Sequence, residues 1–211
     1  MLDRPALRLL QPLLHPMARG LHRMGLRADA VTWAGFVIGL GGAVAIALSQ
    51  PLLGLALILL SRLCDGLDGT LARLSGPTPR GAFLDITLDF LFYASIPLAF
   101  ALADPPANAL PAAVLLAAFI GTGSSFLAFA VLAERQGLRS QAYPQKGFYY
   151  LGGFTEATET LTCFALMCLW PQHFAWWAHG FAALCGLTVV TRLAAGWQVF
   201  GRANPSNKDT P

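Results

Sequence analysis

Charge is scarce in this sequence, and its few cysteines form no recognisable site. Charged residues make up only 12% of the 211 residues, whereas 55% are hydrophobic. This excludes an ordinary soluble domain and indicates a polytopic membrane protein. The net charge of only +3 gives no reason to expect a nucleic-acid partner. The four cysteines form no CxxC pair and no Cys/His cluster, so we interpret them as core residues.

Long apolar runs dominate the rest of the chain. A helix that spans a bilayer needs about 20 mostly apolar residues. We therefore predict an all-α polytopic membrane protein with six transmembrane helices. No cleavable signal peptide is evident. The spans form a single domain over residues 1–200, followed by a short cytoplasmic tail at 201–211. The predicted spans are approximately 30–49, 52–73, 82–103, 109–133, 148–170 and 174–198.

Basic residues are distributed unevenly between the two sides of these spans. The amino-terminal segment, the loops after the second and fourth spans, and the tail carry Lys and Arg, whereas the opposite loops carry none. The positive-inside rule then predicts that both termini are cytoplasmic. Residues 1–29 are expected to form a juxtamembrane amphipathic segment. Within it, residues 5–26 interleave leucines with arginines, which predicts a surface helix broken by prolines. The alternative is a basic tail that only sets topology.

Four aspartates lie in one short stretch of the second and third predicted spans. A carboxylate within a membrane segment costs at least a few kcal/mol, so it indicates function. The members of each pair are three or four residues apart and share a helix face. If the two helices pack as an antiparallel pair, the acids converge toward the cytoplasmic end. The four residues are Asp65, Asp68, Asp85 and Asp89.

Such a cluster needs a positive charge between its members. All-oxygen ligation suits Mg²⁺ or Mn²⁺, and Mg²⁺ usually keeps a substrate phosphate in its shell. Gly66 and Gly69 are expected to leave space beside the carboxylates, and Arg73 offers a fork of donors to a phosphate. In the alternative interpretation, the glycines serve packing only and the acids pair with Arg62, Arg73 and Arg80.

The spacing of these residues resembles the signature of the CDP-alcohol phosphatidyltransferase family (class I). It reads Asp65-x2-Asp68-Gly69-x2-Ala72-Arg73-x7-Gly81-x3-Asp85-x3-Asp89. The six predicted spans and the amino-terminal surface helix are also similar to that family. The resemblance implies transfer of a phosphatidyl group from a CDP-linked lipid such as CDP-diacylglycerol to an alcohol, with release of CMP.

The resemblance also implies roles for individual residues. Two divalent ions, Mg²⁺ or Mn²⁺, are expected on Asp65, Asp68, Asp85 and Asp89. Asp89 is in addition the expected base for the acceptor hydroxyl. Family members are often homodimers, and membrane lipids are expected partners. The residues expected to bound the nucleotide are Asp65, Gly69, Ala72, Arg73 and Gly81.

A second polar cluster opens the fifth predicted span. Glu156 and Glu159 share a helix face, and Arg192 lies within the sixth span. We interpret these three residues as a candidate acceptor pocket that favours a neutral polyol or an amine. The alternatives are a buried network that fixes helix packing or, with further basic residues, a site for a phosphorylated acceptor.

Other interpretations of the chain remain open. Gly35 and Gly39 form a GxxxG pair that could mark a dimer face. Asp29 could cap the first helix. A soluble CDP-alcohol could donate to a lipid acceptor instead. A cation transporter, or a lipid-binding scaffold without catalysis, would also place carboxylates in a membrane.

Overall fold

Every regular element that the structure describes is helical. The computed structural model describes residues 3–137 and 155–201, with side chains for 11–137 and 155–201. This confirms the all-α prediction for those residues. The helices are α1 (Asp3–Arg23), α2 (Ala28–Ala47), α3 (Pro51–Ser75), α4 (Pro79–Ala103), α5 (Pro105–Arg135), α6 (Ala157–Leu169) and α7 (Phe174–Gly201), with a 3₁₀ turn at Pro171–His173.

Four of these helices are long and apolar enough to cross a membrane: α2, α4, α5, and α7 with its preceding 3₁₀ turn. The second predicted span, α3, carries Arg62, Asp65 and Asp68 in its carboxyl half and therefore differs from an ordinary membrane helix. The fifth span was predicted from residue 148, but the described helix α6 has 13 residues and residues 138–154 lie outside the described part. The count of six spans stays a prediction.

Prolines start three of the helices. Pro51, Pro79 and Pro105 occupy first-turn positions, where the missing N–H has no intrahelical partner in any case. Thr78 caps α4 by accepting a hydrogen bond from the Gly81 amide at 3.0 Å, and Asp104 caps α5 in the same way. The fourth span was predicted to begin only at residue 109, after a break at Pro105. That boundary was wrong, because a proline in the first turn can begin a helix.

The amino-terminal segment is one continuous helix, although prolines were expected to break it. Pro12 and Pro16 lie four residues apart on its exposed face, where solvent can satisfy the carbonyls that they leave without an amide. On the opposite face Leu14 and Ala18 are buried, and α1 packs against α3. Its position relative to a membrane surface stays a prediction.

The core lies away from the short connection between α3 and α4. Phe92 and Phe164 are fully buried with their ring centroids 6.4 Å apart, and Phe100 stacks on Phe174 at 4.6 Å. These aromatic contacts join α4, α6 and α7. The amino-terminal half of α4 and the carboxyl half of α3 are left free of this core, and they carry the acids.

The glycines of α2 pack within the chain. A Cβ on Gly35 would lie 2.9 Å from Cβ of Cys64, and a Cβ on Gly39 would lie 2.6 Å from the Phe92 ring. Both positions are therefore filled by α3 and α4, and the suggested dimer face at this GxxxG pair is wrong. Small residues allow α2 to approach both neighbouring helices closely.

Candidate functional site

The four aspartates lie around one small pocket. Asp65 and Asp68 project from α3, and Asp85 and Asp89 project from α4. The two helices do not form the expected antiparallel pair, since each packs mainly against α2. This arrangement leaves a space between α3 and α4, and that space is the candidate functional site. The pocket is lined by Thr32, Gly35, Phe36, Ser61, Arg62, Asp65, Asp68, Asp85, Leu88 and Asp89.

Three of the acids are placed to share one cation. One ligand oxygen from each of Asp65, Asp68 and Asp85 lies within 4.8 Å of the others. Asp68 is only 5% exposed, and its buried Oδ2 has no hydrogen-bond partner in the described part of the chain. A buried carboxylate oxygen without a partner is costly. A hard divalent cation would satisfy it, so these residues fit the predicted metal site.

Asp89 is held differently from the other three. Its Oδ1 accepts a hydrogen bond from Nη1 of Arg62 at 2.6 Å. The same nitrogen lies 3.5 Å from Oδ1 of Asp65. From the sequence alone, Arg62 enters only the alternative interpretation, in which it pairs with the acids. The sequence signal for a role of Arg62 in the site is its position, one helical turn before Asp65 and inside a predicted span.

A larger open cleft of about 490 Å³ adjoins this pocket. The two cavities share Thr32, Asp68 and Asp85, so the acids lie where the cleft meets the pocket. Thr32 was not identified from the sequence, which carries no evident signal for it. The cleft is lined by residues of α1 through α4 and their connections, among them His22, Arg27, Asp29, Gly69, Ala72, Thr78, Arg80 and Gly81.

Most residues predicted to bound a nucleotide face this cleft. Gly69, Ala72 and Gly81 line it. A Cβ on Gly69 would meet only Nη1 of Arg73 at 3.7 Å, so the space expected there is present. Arg73 donates to Oγ1 of Thr70 at 2.9 Å. The similar expectation for Gly66 was wrong, because a Cβ there would lie 3.0 Å from Leu14, where α1 packs.

An ion pair crosses the amino-terminal ends of α2 and α4. Asp29 accepts a hydrogen bond from Arg80, and both residues line the cleft. The amino-terminal cap of α2 is Arg27 and Asp29 lies in the first turn, so the suggested capping role of Asp29 was wrong. The pair ties α2 to α4 beside Gly81.

The predicted acceptor residues lie outside the two cavities as described. Glu156 and Glu159 form a reciprocal capping box at the start of α6, where Glu159 Oε2 accepts from the Glu156 amide at 3.2 Å. Arg192 is buried and its Nη1 donates to the Thr122 carbonyl at 2.9 Å. The two carboxylates therefore stabilise the start of α6 by capping it. The spacing of three residues between them is the sequence signal for such a capping box.

The chain is similar to known proteins over most of its length. A model of the CDP-alcohol phosphatidyltransferase family matches residues 26–190. Inner membrane protein YnjF of Escherichia coli is 52% identical over 197 residues, which cover 93% of this chain and 96% of that protein. Archaetidylinositol phosphate synthase of Methanothermobacter thermautotrophicus is 40% identical over 70 residues, covering 33% of this chain and 36% of that protein.

A solved structure extends the likeness to the fold. Phosphatidylinositol phosphate synthase (PgsA1) of Mycobacterium tuberculosis, with CDP-DAG bound, superposes with a TM-score of 0.71 at 25% identity. The match covers 95% of this chain and 98% of that one. The same protein in complex with manganese and citrate gives a TM-score of 0.69 at 26% identity, covering 94% of this chain and 93% of that one.

Proposed function

Because the chain belongs to the CDP-alcohol phosphatidyltransferase family, we propose that it transfers a phosphatidyl group from CDP-diacylglycerol or a similar CDP-linked lipid to an alcohol and releases CMP. It is a transferase of substituted phosphate groups. The observation that carries the proposal is the meeting of Asp65, Asp68 and Asp85 where an open cleft reaches a small acidic pocket. The CDP-DAG bound to PgsA1 supports the choice of donor.

Divalent ions are the proposed cofactors. We propose that Asp65, Asp68, Asp85 and Asp89 together hold two ions, either Mg²⁺ or Mn²⁺. The unpartnered Oδ2 of Asp68 and the spacing of the three ligand oxygens support this proposal. So does the manganese in the PgsA1 structure. When bound, such ions neutralise the pyrophosphate and the departing CMP.

The protein's own residues position the reactants. Gly69, Ala72 and Gly81 are proposed to bound the nucleotide in the cleft, with Asp65 at its inner end and Arg73 near the phosphates. The acceptor oxygen attacks the phosphorus of the lipid phosphate, and the bond from that phosphorus to the CMP oxygen breaks. Such an in-line displacement depends mainly on positioning and charge stabilisation.

Asp89 is proposed to take the proton of the acceptor hydroxyl. Arg62 contacts its Oδ1, which leaves Oδ2 as the oxygen for proton transfer. A base works best when it is not held wholly by a metal ion. The geometry around Asp89 supports this division of its two oxygens.

The identity of the acceptor is a separate proposal. Glu156, Glu159 and Arg192 are proposed to line its pocket, and the two carboxylates favour a neutral polyol or an amine. A phosphorylated polyol is the second candidate, because PgsA1 is named for phosphatidylinositol phosphate and another relative for archaetidylinositol phosphate. If Arg192 contacts the acceptor, Arg192→Gln should raise KM for the acceptor and leave KM for the donor unchanged.

The relatives and the charge pattern support a proposal for the setting of the enzyme. We propose a bacterial inner membrane location, which the name of the YnjF relative supports. Both termini and the active site are proposed to face the cytoplasm, with the α1 segment in the headgroup layer. A homodimer is proposed by analogy with the family, and residues 1–200 are proposed as one domain.

The test is an assay of CMP release in detergent or nanodiscs. The purified protein is supplied with CDP-diacylglycerol, Mg²⁺ or Mn²⁺, and a panel of acceptors: glycerol 3-phosphate, inositol phosphate, serine and neutral polyols. We expect acceptor-dependent CMP release that Asp68→Asn or Asp89→Asn reduces by at least about 100-fold, the low end for a general base. Full turnover in both variants would refute the proposal.

Asp104→Asn is the matched control for these variants. Asp104 caps α5 at the far end of α4, about 28 Å along the helix axis from Asp85. Asparagine caps helices as well as aspartate does, so the same chemical change there should leave turnover at the wild-type level. Metal flux into proteoliposomes without CMP release would instead indicate a transporter.

A further inference from the structure

Arg62 is a cation fixed inside the acidic pocket. Its side chain is only 12% exposed. The guanidinium carbon lies 4.1 Å from the centroid of the Phe92 ring and 5.7 Å from that of Tyr93. Nη2 donates to Oγ of the buried Ser61 at 3.3 Å. Aromatic rings below it and a hydroxyl beside it therefore hold the positive charge in place.

This arginine lies closer to Asp89 than to the three acids that could share a cation: its Nη1 is 2.6 Å from Oδ1 of Asp89 and 3.5 Å from Oδ1 of Asp65. Asp65, Asp68 and Asp85 bring ligand oxygens within 4.8 Å of one another. Asp89 lines the same pocket but is absent from that group, and its Oδ1 lies on Nη1 of Arg62. Charge-assisted bonds of this kind are among the stronger ones in proteins.

A divalent ion on the same oxygen of Asp89 would conflict with Arg62. Mg²⁺ sits about 2.1 Å from a ligand oxygen, so an ion on Oδ1 would lie less than about 5 Å from Nη1. Two positive charges at that distance repel each other strongly in a partly buried site. The Phe92 ring and Ser61 hold the guanidinium at the place where this repulsion acts.

We propose that Arg62 is a positioning residue that keeps Asp89 out of the metal site of the substrate-free protein. This inference rests on the proposed function. The free protein then offers one good cation site, made by Asp65, Asp68 and Asp85. The second ion binds well only when the donor pyrophosphate adds its own negative oxygens. Arg62 thereby makes the second ion depend on substrate and keeps Oδ2 of Asp89 directed to the acceptor.

The experiment is a Mn²⁺ titration of the full-length protein in nanodiscs without substrate, with free Mn²⁺ followed by electron paramagnetic resonance. We expect the wild type to bind one ion tightly and a second weakly. In Arg62→Gln the affinity for the second ion should rise by about tenfold, a change of about 1.4 kcal/mol. Arg62→Lys keeps the charge, so it should retain most of the wild-type difference in affinity between the first and the second ion.

A double variant tests whether the effect runs through Asp89. If it does, adding Asp89→Asn to Arg62→Gln should abolish the gain in second-ion affinity. Asp89→Asn alone should leave the affinity for the first ion unchanged, whereas Asp68→Asn should abolish binding of the first ion. The exposed Arg135 lies at the end of α5, and Arg135→Gln removes a positive charge without touching the pocket, so its isotherm should match the wild type.

Kinetics provide a second readout in the same preparations. Arg62→Gln should lower kcat while KM for CDP-diacylglycerol changes little, because the donor cleft is intact and only the base is displaced. Thermal unfolding of each variant identifies any loss of folded protein. If Arg62→Gln does not fold, Asp89→Asn still decides the question, since a loss of the first ion as severe as in Asp68→Asn would overturn the inference.

The possible failures are distinguishable. An unchanged isotherm in Arg62→Gln, or a gain that persists in the double variant, overturns this inference while CMP release leaves the proposed function intact. An absence of Mn²⁺ binding in the wild type overturns both this inference and the proposed metal dependence.

Discussion

Substituting Gly39 tests whether the packing of α2 against Phe92 and Ser61 supports the acidic pocket. A Cβ at this position of α2 would lie 2.6 Å from Cδ2 of Phe92 and 2.8 Å from Oγ of Ser61. Both are closer than real Cβ contacts, and Phe92 is fully buried, so the neighbours must move. Those two residues are also the ones that hold the Arg62 guanidinium. Gly39→Ala should therefore damage both stability and turnover.

Gly41→Ala on the same helix provides the reference for the size of the effect. Its Cβ would make an ordinary contact of 3.8 Å with Leu57. Both substitutions gain about 1 kcal/mol of helix propensity, which cancels in the comparison. The difference is the cost of overpacking, about 1–3 kcal/mol. At about 2–4 °C per kcal/mol for a chain of this size, Gly39→Ala should unfold roughly 2–12 °C below Gly41→Ala.

Thermal unfolding can be followed with a thiol-reactive fluorophore, because Cys163, Cys168 and Cys185 are buried until the bundle opens. CMP release should fall in Gly39→Ala and stay near the wild-type level in Gly41→Ala. Equal unfolding temperatures for the two variants would refute the packing argument.

Three further outcomes are expected. Gly69→Leu should fold normally, since space is open there, but should raise KM for the CDP-linked donor by about tenfold or more as its side chain enters the cleft; an unchanged KM would place the nucleotide elsewhere. Gly66→Leu should displace α1 from α3 and increase protease cleavage within α1, because a Cβ there already touches Leu14 at 3.0 Å; a cleavage rate equal to the wild type would contradict that docking. Asp29→Asn should change the free energy of unfolding by less than about 1 kcal/mol, since the Arg80 side chain of this pair is 66% exposed; a larger loss in chemical denaturation would show that the pair carries more than a surface ion pair does.

The signature spacing was enough to predict that the aspartates meet. Helical periodicity places Asp65 with Asp68 and Asp85 with Asp89, and the cost of a carboxylate in an apolar segment indicates why they are there. Composition likewise predicted a helical membrane protein. These conclusions depend on helical periodicity and on the free energy of placing a charged group in an apolar segment. Both can be evaluated from the sequence alone.

Boundaries and helix partners were less predictable. Pro105 was expected to interrupt the chain but begins α5, and the prolines of α1 do not break it, because their tolerance depends on which face is exposed. Glu156 and Glu159 form a capping box whose spacing could have been noticed. Gly35 and Gly39 have a spacing that fits packing within a chain as well as packing between chains, so the pattern alone could not decide.

Composition and spacing alone predict a helical membrane protein that carries four acids at signature positions. How those acids are shared depends on which helices pack together. The fold inserts α2 against both α3 and α4 and places Arg62 on the Phe92 ring. Three carboxylates bring ligand oxygens close together, whereas the fourth, Asp89, accepts the shortest bond from the guanidinium. The physical reason is that periodicity fixes which residues share a helix face, whereas the partner of a buried charge depends on which helices pack together.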